Sequence, residues 1–262
     1  MTPPVVLTIA GSDSGAGAGI QADLKVFAAL RSYGTSVLTA VTAQNTLGVA
    51  GVFPLPPDVV TAQVDAVLAD FAVRAVKTGV LGTPEIASAV AERARDGLLP
   101  NLVVDPVLVS TSGHRLGAVA VVERLLPYAM VATPNRAEAE ALLGRRVSSR
   151  SDLADAARDL ASGGPRYVVV TGGDLPDEAE SVDALWTGTE VQLLPGPRVA
   201  TGNTHGTGCS FSAAIAVRLG LGDAVPQAVR FAKEYVAGAL VGARRWRLGG
   251  GSGPLDHFGW HR

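Results

Sequence analysis

Short valine-rich runs alternate with amphipathic helical stretches along this chain, and that alternation limits its fold more than any single residue does. Val5–Ala10, Val37–Ala43, Ala75–Thr78, Leu102–Asp105, Met130–Thr133 and Tyr167–Thr171 read as strands. Continuous apolar runs of this kind belong to strands covered on both faces, as in parallel sheets. Helical patterns fill the gaps: from about Ile20 to Arg31, from an Asp58 cap to Phe71, then Pro84–Arg95, Ala118–Leu126, Arg136–Leu143 and Asp152–Ala161. The stretch between Ala43 and Asp58 reads as a loop through Pro54, Pro56 and Pro57. Ala184–Thr187 and Val191–Leu194 flank Gly188 like a hairpin, and helices Gly208–Leu219 and Ala224–Trp246 follow. This βαβα order predicts an α/β fold with an open, mostly parallel sheet and helices on both faces. No linker or internal repeat divides the chain, so 1–262 reads as one domain, with 249–262 a partly flexible tail because Gly249–Gly253 is glycine-rich.

Composition narrows the function. Only 5% of the residues are aromatic, so Val, Leu, Ile and Ala must build the core. A net charge of −2 without any block of like charge argues against nucleic acid and anionic membranes as partners. Met1–Ala10 is too short and lacks the basic start of a signal peptide, and no apolar stretch is long enough to span a bilayer. The single cysteine excludes an internal disulfide and fits a reducing cytoplasm.

In open α/β sheets ligands bind beyond the carboxyl ends of the strands. The fold would bring Gly11–Ser14, Gln44–Asn45, Lys77, Asp105, Asn135 and Thr171–Asp174 to that one edge. The run NTHGTGCS, Asn203 to Ser210, adds a glycine-rich loop feeding a helix, whose N-terminus aims backbone N–H groups and partial positive charge at one point. That suits a phosphate. Cys209 there reads in three ways: a buried structural thiol, half of a Cys/His nucleophile pair with His205, or a thiol whose pKa the helix depresses so that it accepts a proton from a substrate hydroxyl.

The loop Ala10–Leu24 carries glycines at 11, 15, 17 and 19 but fails the dinucleotide fingerprint, since Ile20 stands where a third small residue belongs and Thr42–Asn45 is neutral. It is a flexible turn or a loop whose backbone packs on a small substrate, with Asp23 facing it. Gln44 offers a donor beside an acceptor, matching the edge of an aminopyrimidine, or is a polar turn residue. Asp105 holds Mg²⁺ through water or caps a turn. Asn135 and Glu138 are either a helix cap or neighbours of hydrated Mg²⁺ on ATP.

Taken together, AGSDSGAGAGIQADLK, TAVTAQNT, VDPVLVSTSG, TPNRAEAE, NTHGTGCSFSAAIA and GPLDHF resemble the hydroxymethylpyrimidine/phosphomethylpyrimidine kinases of thiamine biosynthesis, within the ribokinase-like superfamily. The resemblance covers nearly the whole chain. It implies a three-layer sandwich, ATP and Mg²⁺, with a monovalent cation as a further option, a small pyrimidine substrate and a homodimer. It also implies roles: Gly206, Thr207 and Gly208 as the anion hole, Cys209 at the position of the catalytic acid of sugar kinases, and Gly11, Asp23, Gln44 and Val107 around the pyrimidine. Asp105 and Glu138 would act on Mg²⁺, with Asn135, Thr171 and Gly173 toward the nucleotide. The family commonly carries Lys where this chain has Gly202 and Thr171, Met where it has Val80 and His where it has Asp174. The expected activity is ATP-dependent phosphorylation of 4-amino-5-hydroxymethyl-2-methylpyrimidine and then of its monophosphate. The rivals are a pyridoxal kinase and a non-catalytic module that binds the pyrimidine.

Overall fold

The computed structural model describes residues 2–109, 113, 116–175 and 180–260. Among them an eight-stranded sheet forms the middle layer. Its strands are β1 (Val5–Ala10), β2 (Tyr33–Leu38), β5 (Val73–Thr78), β6 (Val103–Val104), β7 (Val131–Ala132), β8 (Tyr167–Val170), β9 (Glu180–Trp186) and β10 (Val191–Pro197). The spatial order is β10-β9-β8-β7-β6-β5-β1-β2. All pairs from β2 through β8 are parallel, and β9 runs antiparallel to both of its neighbours. A separate antiparallel ribbon, β3 (Ala40–Asn45) with β4 (Gly48–Pro54), stands outside the sheet.

The period of two along the strands sorts their side chains into two layers. Val6, Ala75, Val103, Val131 and Val169 pack under α1 (Gly19–Ala29), α7 (Thr207–Gly220) and α8 (Val225–Ala243). Leu7, Ile9, Val76 and Val104 face the other way, onto α2 (Pro57–Asp70), α3 (Pro84–Arg95) and the short α4 (Val119–Val122). Val168 and Val170 continue that face onto α5 (Arg136–Leu143) and α6 (Arg150–Ala161). Each such fully buried aliphatic side chain contributes about 1.5–3 kcal/mol. The result is the expected helix–sheet–helix sandwich.

Five local readings change. The run Val37–Ala43 is two strands, because the chain leaves the main sheet at Thr39, whose hydroxyl donates to the Val80 carbonyl at 2.6 Å. The supposed loop after it is β4, whose residues pair with β3 from Asn45↔Gly48 to Ala40↔Pro54. Asp58 caps nothing: α2 begins at Pro57, Pro56 is its cap, and Asp58 lies in the first turn, where its charge complements the helix dipole. Helix Ala118–Leu126 shrinks to α4 and a 3₁₀ turn at Leu126–Tyr128, since Pro127 lacks an N–H and disfavours helical geometry at Leu126. Helix α8 stops at Ala243, not Trp246, where the Asn203 amide takes the Ala243 carbonyl at 2.6 Å.

The glycine-rich segment near the C-terminus is held in place. Gly249 and Gly251 lie so close to Thr46, in the turn of the β3–β4 ribbon, that a Cβ on either would collide with it. Glycine there answers to close approach, not only to flexibility. Beyond it Leu255, Asp256 and His257 are buried, the Asp256 N–H bonds the Ala239 carbonyl at 3.1 Å, and the Tyr235 hydroxyl donates to the His257 carbonyl at 2.9 Å. Residues 261–262 of the expected tail lie outside the described residues, as do Ser110–Ser112 of the VDPVLVSTSG motif. No described helix is long and apolar enough to cross a membrane.

Candidate active site

A cavity of about 1020 Å³ opens at the carboxyl ends of the parallel strands. Its wall gathers Gly11, Gln44, Val107, Asp105, Asn135, Glu138, Thr171, Gly173 and Gly206–Cys209. Every predicted site residue is therefore on one surface except Asp23.

Asp23 lies behind that wall and is fully buried. The expectation that it faces the substrate is corrected by its partners. Lys77 Nζ reaches both of its oxygens, at 3.0 and 2.9 Å, and the Thr8 hydroxyl donates to it at 2.6 Å. Thr8 and Lys77 are neighbours across β1 and β5, so the strand register itself closes Asp23 off from the cavity. Lys77 also stands 3.7 Å from Asp105, whose other close partner is the Ser212 hydroxyl, donating at 3.0 Å. Burial alone would lower the Lys77 pKa, but Asp23, Cys209 and Asp105 around it raise it. A positive charge therefore lies beneath the cavity wall beside Asp105 and Cys209.

Helix α7 begins there. Gly206 precedes it with φ +85°, and a Cβ at that position would collide with the Gly17 carbonyl, so only glycine lets the two loops meet. The Thr207 N–H folds back onto the Thr204 carbonyl at 3.2 Å. Helix geometry then leaves the N–H groups of Gly208 and Cys209 without intrahelical acceptors. These two, rather than Thr207, are left as free backbone donors at the helix start.

Cys209 is half-buried. Its thiol is pushed up to about 12 by burial, with Lys77 opposing and Asp105 and Asp23 adding to the rise. The expected depression by the helix N-terminus is thus overridden by burial, and at neutral pH the sulfur carries its proton. Asp105 is itself raised by burial, against Lys77, Ser212 and a hydrogen bond with Cys209.

Asn135 and Glu138 do form a capping box, with Asn135 Oδ1 accepting from the Glu138 N–H and Glu138 Oε2 from the Asn135 N–H, both at 2.9 Å. Capping does not exhaust Glu138. Burial, and then Asp105, push its carboxyl up to about 8. Two buried carboxylates on one cavity wall, both raised by burial and one raised further by the other, are what a divalent cation relieves. No group of three or more acidic, His or Cys side chains able to hold a metal occurs among the described residues. The donor set therefore fits a Mg²⁺ that keeps waters and leans on substrate phosphates.

Three features were not anticipated from sequence. Asp13 and His205 form a pair at 2.8 Å between the first loop and the anion-hole loop. The Lys77–Asp23 pair gave only the signal of a lysine at a strand end. Lys233 on α8 meets Asp183 on β9 at 2.7 Å, and Asp183 also accepts the Gly172 N–H at 3.0 Å. Lys233, Asp183 and Arg198 line the cavity on the side of Thr171 and Gly173. That region lacks lysine at Gly202 and Thr171.

Comparison with known proteins places this geometry. Residues 13–256 match the family model described as phosphomethylpyrimidine kinase. A hydroxymethylpyrimidine/phosphomethylpyrimidine kinase of Streptomyces coelicolor is 50% identical over 264 residues, covering 99% of this chain and 96% of that protein. A chloroplastic thiamine biosynthetic bifunctional enzyme of Arabidopsis thaliana is 50% identical over 97% of this chain, which spans only 50% of that longer protein. Among solved structures, the phosphomethylpyrimidine kinase of Clostridium difficile has a TM-score of 0.79 at 38% identity, covering 90% of this chain and 99% of that one. The pyridoxal kinase of Staphylococcus aureus in complex with AMP-PCP and pyridoxal has a TM-score of 0.90 at 36% identity, covering 100% of this chain and 96% of that one.

Proposed function

The chain belongs to the phosphomethylpyrimidine kinase family, and on that premise we propose that it transfers the γ-phosphoryl group of ATP to the hydroxymethyl oxygen of 4-amino-5-hydroxymethyl-2-methylpyrimidine, then a second to the resulting monophosphate. The observation that carries this reading is the position of the free Gly208 and Cys209 N–H groups. They lie on one cavity wall with Gln44, suited to an aminopyrimidine, and with Asn135, Thr171 and Gly173, suited to a nucleotide.

Phosphoryl transfer asks mainly for positioning and charge stabilisation. Gln44 and the backbone near Gly11 and Val107 would orient the pyrimidine. The Gly208 and Cys209 amides, with the dipole of α7 behind them, would hold the equatorial oxygens of the phosphoryl group in transit. The hydroxymethyl oxygen bonds to the γ-phosphorus as the bond to the β–γ bridging oxygen breaks, and ADP leaves with the electron pair. Because Cys209 rests protonated, it takes the hydroxyl proton only while handing its own to Asp105. Asp105 and Glu138 would hold Mg²⁺ through its waters, and that ion would supply charge neutralisation across the phosphates.

Purified protein with Mg-ATP should release ADP with both the pyrimidine alcohol and its monophosphate. Absence of turnover with either substrate sinks the reading. A pyridoxal kinase is the second reading, favoured by the fit to the Staphylococcus aureus enzyme over the whole chain. The ratio of kcat/KM for the two alcohols separates them.

A further inference from the structure

The glycine-rich loop before α1 is folded around one carboxylate. Asp13 Oδ2 accepts the N–H groups of Gly17 and Ala18 at 3.0 and 2.8 Å, and Oδ1 accepts that of Gly15 at 2.8 Å. The Asp13 carbonyl takes the Ala16 N–H at 2.9 Å, and Gln21 Oε1 takes the Asp13 N–H at 2.8 Å. Burial opposes a charge on Asp13, but the bonds from His205, Ala18 and Gly15 outweigh it and hold the carboxyl below its ordinary value. His205, 192 residues away in sequence, completes the set, with Nε2 at 2.8 Å from Asp13 Oδ2. Facing an ionised oxygen, that nitrogen carries its proton and donates it to Asp13.

His205 belongs to the turn that starts α7, just ahead of the free N–H groups of Gly208 and Cys209. The seam between this turn and the first loop is lined with glycine. A Cβ on Gly17 would collide with the His205 ring, and a Cβ on Gly206 with the Gly17 carbonyl. Glycine faces pack closely but carry no side chain to fix how far one slides past the other. The Asp13–His205 bond does fix it, at one point and with charge assistance. Gly11, Asp13, Ala18 and Gly19 line the cavity on one side of this seam, and Gly206–Cys209 on the other.

We propose that the Asp13–His205 pair is a latch that holds the start of α7 in register with the first loop, so that an alcohol resting on that loop meets a phosphoryl group held by the Gly208 and Cys209 N–H groups. In-line attack needs the reacting atoms about 3–3.5 Å apart, and a misplacement of about 1 Å costs on the order of 10²-fold. Pyrimidine and phosphoryl group would rest on opposite sides of the seam. A slip of one loop against the other therefore spoils their alignment more than the hold on either. Asp13 and His205 are positioning residues in this arrangement. Gln44 Nε2 stands 3.3 Å from the same His205 nitrogen, so a histidine that served only to seat the pyrimidine would act on KM instead.

The kinetic role of the latch rests on the pyrimidine kinase reading, and the test keeps the two apart. In steady-state kinetics His205→Leu, which removes the donor and keeps much of the bulk, should lower kcat about 10- to 100-fold while KM for the pyrimidine alcohol and for ATP stays within about 3-fold. His205→Gln, whose amide N–H has similar reach, should restore most of kcat. Should His205→Leu fail to fold, His205→Asn, too short to reach Asp13, takes its place with the same expectation. An unchanged kcat overturns the latch, as does a rise in KM alone or a loss that His205→Gln leaves uncorrected, and the kinase reading stands in each of those cases. If the wild-type enzyme turns over neither the alcohol nor its monophosphate, the kinase reading falls and hydrogen exchange decides the latch. The Gly17 and Ala18 amides of the free enzyme should then exchange about 10-fold faster or more in the His205 variant. Equal exchange overturns it.

Discussion

Two lysines line the cavity from opposite ends. Lys77 rises from β5 under the start of α7, fully buried, touching Asp23 and within 3.7 Å of Asp105. Lys233 comes from α8 on the side of Thr171 and Gly173, is still 14% exposed, and pairs with Asp183. The first belongs to a closed charge cluster drawn from β1, α1, β5 and α7, in which Thr8, Asp23, Lys77, Asp105 and Ser212 leave little unsatisfied. The second braces a hairpin against a helix. At the start of α7 the protein fixes its charges inside the fold, whereas on the side of Thr171 and Gly173 its ion pairs, Lys233–Asp183 and Arg136–Asp174, stay within reach of solvent.

This contrast can be broken, and the sharpest break is Lys77→Met. It strands two buried carboxylates, and urea titration at pH 7 should show a loss of about 3–5 kcal/mol. A loss near that of a surface substitution would mean that the cluster carries no charge. Cys209→Ala comes next. If the thiol relays the substrate proton, kcat should fall on the order of 10²-fold with little change in KM. An unaltered kcat would reduce the sulfur to packing.

Glu138→Gln sharpens the comparison through pH. The wild-type carboxyl is raised from its ordinary value to about 8, so folding favours its protonated form. That contribution is complete below about pH 4.5 and is lost as pH rises through 8, since the unfolded chain releases the proton first. The variant escapes the loss. Its Tm advantage over wild type should be absent near pH 4.5, grow toward pH 8, and shrink when Mg²⁺ is added. A constant difference across that range would show that Glu138 is ionised throughout. The smallest effect should be that of Lys233→Met. Asp183 keeps its Gly172 N–H, so about 1–2 kcal/mol of stability is lost, while KM for ATP rises and KM for the pyrimidine stays near wild type. A larger loss than for Lys77→Met would invert the comparison.

The sheet was legible because Val6, Leu7, Val103, Val104, Val168 and Val169 pack on alternate faces and yet all are apolar, which only a doubly covered strand requires. The ribbon strand β4 was not, because Gly48 and Gly51 interrupt its pattern and the prolines beyond it read as a loop. The cavity residues could be found because each ends a strand or opens a helix. Asp23 was misplaced because one helical turn past a glycine loop points toward the ligand only if nothing lies between. Here Thr8 and Lys77 do, and their pairing with Asp23 depends on a strand register that local sequence does not carry. The thiol was misjudged for a related reason: the helix dipole is visible in sequence, and the burial that outweighs it comes from packing by the rest of the chain.

The C-terminal segment gives the turn before α7 a handle. The His205 N–H bonds the Gly253 carbonyl at 3.0 Å, Pro254 bridges to His205, and buried His257 meets the Ser210 hydroxyl of α7 at 2.9 Å. The loop proposed to cradle the phosphoryl group is therefore strapped from outside by residues 253–257. Trimming by a carboxypeptidase past His257 should extinguish turnover while the circular dichroism of the sheet and helices persists. The same strap makes this terminus a poor place for a short-linkered affinity tag, since any pull on it is felt first at the start of α7.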